Sequence, residues 1–129
     1  MTPTPEILTF LIADQVIQEK GTNKWSAIGI FDHIYADKFP LFHPTMGLYV
    51  RLVDAEGEYK IRIELTDSNQ QKLAIFEGLN VRVESRLVAI DVGIQSRNLQ
   101  IPKPDKYHFD LYFNDQLCKS LPLVVSQSR

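Results

Sequence analysis

The sequence contains almost no cysteine. Cys118 is the only one in 129 residues, so no disulfide can form within the chain, and nothing indicates adaptation to an oxidising compartment. The start, Met1 to Glu6, lacks the basic segment of a signal peptide, and the apolar run from Ile7 to Ala13 is too short to span a membrane. We therefore expect a cytoplasmic protein without a membrane partner.

Clusters of positive charge are also missing. The 14 Lys and Arg residues are scattered among 16 Asp and Glu residues, which gives a formal net charge of −2. A surface for nucleic acid or an anionic membrane needs a concentrated basic patch. Nucleic-acid binding is therefore not expected.

The motifs of common enzymes are absent as well. The sequence has no Gly-x-Ser-x-Gly nucleophile elbow, no Gly-rich phosphate loop and no closely spaced pair of histidines. Cys118 has no base beside it that would activate the thiol. We expect no catalytic residue, no metal site and no cofactor, and hence a protein that is not an enzyme.

Two acidic residues keep an alternative open. Asp14 and Asp32 each interrupt an apolar row, and in a hairpin their carboxylates can approach each other. Together with His33 or His43 they would form the site of a metal-dependent hydrolase. The simpler interpretation, which we favour, places each acid at a strand end, where it meets backbone N–H groups or solvent.

The dominant pattern that is present is the alternation of apolar and polar side chains. It runs from Lys106 to Phe113, is cleanest from Glu58 to Thr66, and also covers Met46 to Val53. This period of two is typical of strands with one face against a core. No segment of about ten residues or more has a sustained helical stripe.

The remaining segments are predicted from apolar runs and turn residues. Ile7–Ala13 is apolar on both faces except at Thr9 and is expected to be a central strand covered on both sides or a strand that crosses between layers. It is expected to form a hairpin with a single strand from Trp25 to Tyr35. Two prolines within Ala36–Pro44 predict a crossover between sheets. Gly78 is expected to separate two short strands, and Gln95–Asn98 to form a turn.

These segments amount to about nine short strands separated by turns. They predict an all-β fold, an antiparallel β-sandwich of immunoglobulin-like or C2-like layout. We expect residues 1–129 to form a single domain.

The end of the chain is predicted to be a hairpin. A shared core requires Phe113 to lie opposite Leu117, through a three-residue turn or a two-residue turn with a bulge. Tyr107 follows a proline-containing loop, as in a tyrosine corner, in which the hydroxyl bonds back to that loop. Pro122 predicts a sheet edge or a bulge in the last strand.

Four residues are candidates for an interaction surface: Tyr112, His108, Tyr49 and Trp25. Tyr112 and His108 fall on the polar side of their strand, and aromatic rings on a sheet face can stack on sugars or anchor a protein. For Trp25 and Tyr49 the alternative is a place in the core.

The chain also resembles a known family. The residues concerned are Leu11–Asp14, Ile28–Ile34, Phe39–Pro44, Tyr107–Leu111 and Ser120–Leu123. They are similar to those of small, uncharacterised bacterial proteins that consist of little more than one β-sandwich domain. The resemblance covers nearly the whole chain and implies bacterial origin and a free-standing, non-secreted domain. That family has no assigned activity, so no residue role carries over.

These observations favour a non-catalytic binding or assembly module that acts through a sheet face or an edge strand. Its partner would be another protein or a second copy of the chain. The alternatives are a β-sandwich that binds a small ligand or carbohydrate, and the metal-dependent hydrolase described above.

Overall fold

The computed structural model describes residues 4–128; Met1 to Pro3, on which part of the signal-peptide expectation rests, and Arg129 lie outside the described residues. Within this range the chain forms nine strands: β1 (Glu6–Gln18), β2 (Trp25–Ile30), β3 (His33–Ala36), β4 (Leu41–Val53), β5 (Gly57–Thr66), β6 (Lys72–Val83), β7 (Ile90–Ile101), β8 (Asp105–Phe113) and β9 (Gln116–Gln127). Residues 4–128 include no helix of the length and apolar character needed to cross a membrane.

The strands form two sheets with a shared core. Sheet A has the order β2-β1-β4-β7 and sheet B the order β3-β9-β8-β5-β6. The prediction of an all-β sandwich of about nine strands is confirmed. One pair departs from the antiparallel expectation: β3 runs parallel to β9, because β3 arrives from the other sheet and not from a hairpin.

The predicted inner rows form the core. The buried side chains of the central strands β4, β5 and β8 are Met46, Leu48, Val50, Leu52, Tyr59, Ile61, Ile63, Leu65, Tyr107, Phe109, Leu111 and Phe113. Each is at most 4% exposed. Alternation identified these rows because apolar residues fill one face of each strand, whereas the opposite face carries mainly polar or small residues.

The predicted single strand from Trp25 to Tyr35 is two strands in different sheets. β2 pairs with β1, which confirms the hairpin, whereas β3 pairs with β9. Phe31 and Asp32 link them: the Phe31 N–H donates to the Ile12 carbonyl at 3.0 Å. The Val124 N–H donates to the Asp32 carbonyl, also at 3.0 Å. The prediction of a single strand is wrong because the apolar alternation continues through Phe31 and Asp32, where the chain passes from one sheet to the other.

Three other boundaries differ from the predictions. β6 runs through Gly78 (φ 84°) as one strand, with a register shift nearby. Gln95–Asn98 lies within β7 and does not form a turn. The crossover between sheets is present but shorter than predicted, because β4 already begins at Leu41. Polar or glycine residues inside a long, twisted strand resemble turn signals when only the sequence is read.

The β8–β9 hairpin has a two-residue turn, one of the two connections considered. Asn114 and Asp115 form it with φ values of 50° and 65°, the left-handed geometry that suits tight hairpins. Phe113 therefore lies opposite Gln116, and its predicted pairing with Leu117 is wrong.

A bulge then restores the register of β9. Leu117 lies opposite Tyr112, whereas Lys119 lies opposite Leu111, so Cys118 is the extra residue. Because Leu117 falls on the outer face, it is 52% exposed instead of buried.

The tyrosine corner is present. The hydroxyl of the buried Tyr107 donates to the carbonyl of Lys103 at 2.5 Å, across the loop that precedes β8. The hydrogen bond fixes this loop against the core.

Replacing Tyr107 with Phe tests this bond. The Tyr107→Phe variant leaves the Lys103 carbonyl without its partner and should lower the free energy of unfolding by about 1–2 kcal/mol. Urea denaturation measures the difference. The Tyr35→Phe variant is the control, because Tyr35 is 68% exposed and its ring stacks on His33 without needing its hydroxyl. Equal stability of Tyr107→Phe and the unmodified protein would contradict the role of the corner.

Candidate binding site at an open sheet edge

On the flank crossed by Phe31 and Asp32, both sheets are only partly closed. β2 covers β1 from Ala13 to Gln18, and β3 covers β9 from Val124 to Gln127. Within the described part of the chain, no strand pairs with the remaining length of β1 or β9 on this side. The flank therefore carries two open edges, one in each sheet.

The backbone of β1 points its hydrogen-bonding groups at this opening. The Ile12 carbonyl faces the β2 side, where it accepts from Phe31. Backbone groups alternate in direction along a strand, so the N–H and C=O of Phe10 face the same side, away from β4. The stretch Glu6–Leu11 thus presents a short strand edge.

The facing edge of β9 is blunted. The Val124 N–H points toward β3. Backbone groups two residues apart on a strand point the same way, so residue 122 also faces this edge, but it is a proline and has no N–H. The prediction that Pro122 marks a sheet edge is confirmed for this part of β9. Lys119, which pairs with Leu111, is a charged and exposed residue on the same stretch of β9. Proline and a lysine side chain on an edge are devices that prevent unwanted strand pairing.

The β1 edge has neither device. The run Ile7–Ala13 contains no proline and no charge. Its one irregularity is a bulge at Leu8, whose side chain is 53% exposed on this edge strand.

A cleft of about 270 Å³ lies between the two edges. It is lined by Phe10, Leu11, Ile12, Ile30, Phe31, Asp32 and Leu121. Its wall is apolar except for the exposed carboxylate of Asp32. The arrangement offers unpaired backbone groups beside apolar pockets, which is what an added strand needs.

The aromatic residues predicted for an interaction surface occupy the outer faces of the sheets. The pairing of β1 with β4 ends at Ala13, which lies opposite Gly47. From Ala13 onward, β1 pairs with β2, and this hairpin bends over sheet A. A Cβ at Gly93 would lie 2.3 Å from Cζ3 of Trp25, and one at Gly47 would lie 2.7 Å from Cγ2 of Val16. The Trp25 and Tyr49 rings lie 6.0 Å apart and are half-buried. These rings form a small second core.

The polar end of Tyr49 is also engaged. Its hydroxyl donates to the carboxylate of Asp91, which accepts from Arg51 as well, at 3.0 Å. Burial, together with the hydrogen bond to Asp91, raises the pKa of Tyr49. The hydroxyl therefore stays protonated and tied to β7.

Tyr112 and His108 lie half-buried on the outer face of sheet B. The Arg62 guanidinium covers one face of the Tyr112 ring, 4.2 Å from its centroid. Arg62 also donates to Glu64 at 3.0 Å and to Asp115 at 2.5 Å. Only one face of Tyr112 is therefore left for a ligand to stack on.

The residues of the hydrolase alternative are divided between two places. Asp14, His33 and His43 line one cleft of about 340 Å³, whereas Asp32 lines the cleft beside β1. Nε2 of His33 lies 2.8 Å from Oγ of Ser126. Among residues 4–128 no three His, Cys, Asp or Glu side chains converge as metal ligands would.

Cys118 is not arranged as a nucleophile. It lies half-buried in the β9 bulge, and its thiol bonds to the Gln116 carbonyl at 3.3 Å. Burial raises the pKa of the thiol, although a backbone hydrogen bond to Phe113 opposes this. The reactive thiolate is thus disfavoured.

A family of unknown function (DUF6941) matches residues 8–126. The chain belongs to this family. The match covers both sheets, and it confirms the resemblance to proteins without an assigned activity. Among curated proteins, no match was found.

The open β1 edge was missed by sequence reasoning, although a signal was present. The run Ile7–Ala13 is apolar on both faces except at Thr9, which predicts a strand covered on both sides. Apart from the exposed Leu8, its side chains are buried or half-buried, but β2 pairs with its backbone only from Ala13 onward. Sequence periodicity reports which way side chains point, and it carries no information on whether the backbone beside them is paired.

Replacing Gly93 with Ala tests the packing of the β1–β2 hairpin. The new methyl group would overlap Trp25, so this ring should be displaced toward solvent at a cost of about 1–3 kcal/mol. Trp25 is the only tryptophan, and its emission should shift to longer wavelength. Ser26→Ala, on the exposed side of β2, is the control. Unchanged emission in Gly93→Ala would show that the contact is not needed.

His43 should make stability depend on pH. Burial lowers its pKa from the ordinary 6.5, against the opposing effects of Asp14 and a hydrogen bond to the Thr45 backbone. The unfolded chain then binds the proton more readily, so the free energy of unfolding should fall as pH drops below about 6.5.

Asp14→Asn removes the opposing carboxylate and should lower the pKa of His43 further. NMR titration of the His43 ring in both proteins measures the two values. Titration of His43 at or above 6.5 in the unmodified protein would refute the expected pH dependence.

Proposed function

We propose that this domain is a non-catalytic binding module that accepts an extended segment of a partner protein along the open edge of β1. The observation that supports this most is the contrast between the two edges of one flank. The β9 edge is blunted by Pro122 and Lys119, whereas Ile7–Leu11 has neither proline nor charge and is interrupted only by the bulge at Leu8. A bare, uncharged edge is a hazard for a protein unless something covers it.

The proposed site has the parts that strand addition uses. The backbone of Phe10 faces the opening and would supply hydrogen bonds to a guest strand. The apolar wall of the cleft, with Ile12 and Leu121, would receive alternate side chains of the guest. Backbone bonds would contribute affinity, and the cleft would contribute selectivity.

The length of the edge sets the size of the guest. Glu6–Leu11 spans about 20 Å at the usual rise per residue of a strand. A guest of about six residues, the usual length of a strand, would fill it. It would lie in line with β2, which occupies the same side of β1 from Ala13 onward.

The alternatives have less support. The carbohydrate hypothesis depends on stacking, and Arg62 already covers one face of Tyr112. The hydrolase hypothesis needs Asp14 and Asp32 together with His33 or His43, and the described residues include no three His, Cys, Asp or Glu side chains that converge as metal ligands would. The single cysteine is the reason to propose that binding takes place in the cytoplasm.

Selection from a library of random nine-residue peptides displayed on phage tests the proposal. Enriched peptides should alternate apolar and polar residues, and Leu8→Lys should weaken their binding by about tenfold or more, because it places a charge on the edge. Leu8 is 53% exposed, so the variant should fold, which circular dichroism checks. Fluorescence anisotropy measures the dissociation constants.

Ile75→Lys is the matched control. Ile75 is 49% exposed and lies on β6, at the far edge of sheet B, so its replacement should leave peptide binding unchanged. Hydrogen exchange of the Phe10 amide should also slow when a peptide binds. Enriched peptides that bind Leu8→Lys as tightly as the unmodified protein, or no enrichment at all, would overturn the proposal.

A further inference from the structure

The charges at the two ends of the open β1 edge point to the chemistry of the guest. Asp32 lines the cleft at the end where β2 leaves sheet A, and its side chain is exposed. Glu6 is exposed at the other end of the edge. Neither forms a salt bridge with any residue that the structure describes, whereas Asp91 and Glu64 on the sheet faces are both paired.

No charge lies between these two ends on β1 itself. Position 9 is Thr, and Arg51 opposite it on β4 is held by Asp91. Lys119 is an exposed cation on the facing strand β9, and it is not among the residues that line the cleft. The edge thus has an apolar middle and an acidic group at each end.

A second copy of the chain would be a poor occupant. Two β1 edges paired antiparallel about a twofold axis would bring Glu6 of each copy to the Asp32 end of the other. Like charges placed opposite each other across strands are destabilising. A guest that carries basic residues at its ends would instead meet opposite charges at both.

We infer that the β1 edge takes an extended segment of a different protein, with an apolar middle that alternates with polar residues and a Lys or Arg at one or both ends. This inference rests on the proposed function and specifies its partner. The apolar middle would fill the cleft beside Phe10 and Leu121, and the basic ends would lie near Asp32 and Glu6.

The test uses the tightest peptide from the library selection. It is synthesised with Lys, with Gln and with Glu at both ends, and binding to the full-length protein is measured at about 0.1 M and about 1 M NaCl, between which the Debye length falls from about 10 Å to about 3 Å. For exposed charge pairs, the Lys form should bind about 2- to 5-fold more tightly than the Gln form at low salt, and the Glu form more weakly. The difference should vanish at high salt.

Two charge variants locate the effect. In the double variant Asp32→Asn with Glu6→Gln, the three peptides should bind equally well. Glu77→Gln removes an exposed charge from β6, away from the cleft, and should keep the preference for Lys. Because all these positions are exposed, no variant is expected to unfold.

The outcomes separate the inference from the proposed function. Equal binding of the three peptides, all weakened by Leu8→Lys, would overturn the basic-ended partner and leave strand addition intact. A dimer that forms at micromolar concentration in sedimentation experiments and is lost in Leu8→Lys would overturn the choice of a different protein over a second copy. Absence of any binding that depends on Leu8 would overturn both.

Discussion

The two-residue link of Phe31 and Asp32 is the constraint on which the rest of the structure depends. It joins sheet A to sheet B through two backbone hydrogen bonds, one to Ile12 and one from Val124. The link fixes where β2 ends and where β3 begins, and so it limits how far each neighbouring strand is covered. The open edge of β1 and the cleft beside it are consequences of this one crossing.

The sheet faces and the sheet edge differ in how well their groups are satisfied. On the outer faces, Tyr49 is tied to Asp91, and Tyr112 lies under Arg62. These contacts use aromatic and charged groups that a partner would otherwise meet. At the β1 edge the free groups are backbone groups, which have no side-chain signature. Residue types typical of binding surfaces therefore lie on the faces, whereas the unpaired backbone groups lie at the edge.

Much of the fold was predictable from the sequence. Strands β5 and β8 alternate because each has one face in the core, and Tyr107 follows its loop as a tyrosine corner requires. The errors lie where local and tertiary signals conflict. Gly78 resembles a break, but it lies in a local register shift after which β6 continues to pair with β5 from Leu79. Leu117 resembles a core residue, but the bulge at Cys118 leaves it on the outer face.

The sequence by itself determined the all-β class, the central strands and their buried rows, because the direction of each side chain follows from a period of two. It also limited the chemistry, since a lone cysteine and scattered charges are properties of composition. Only the tertiary structure decided which strands pair, that Trp25 packs on Gly93, and that Glu6–Leu11 is left with an open edge. Pairing joins backbone groups that are the same in nearly every residue, so it depends on where the chain crosses between sheets and not on which side chains it carries.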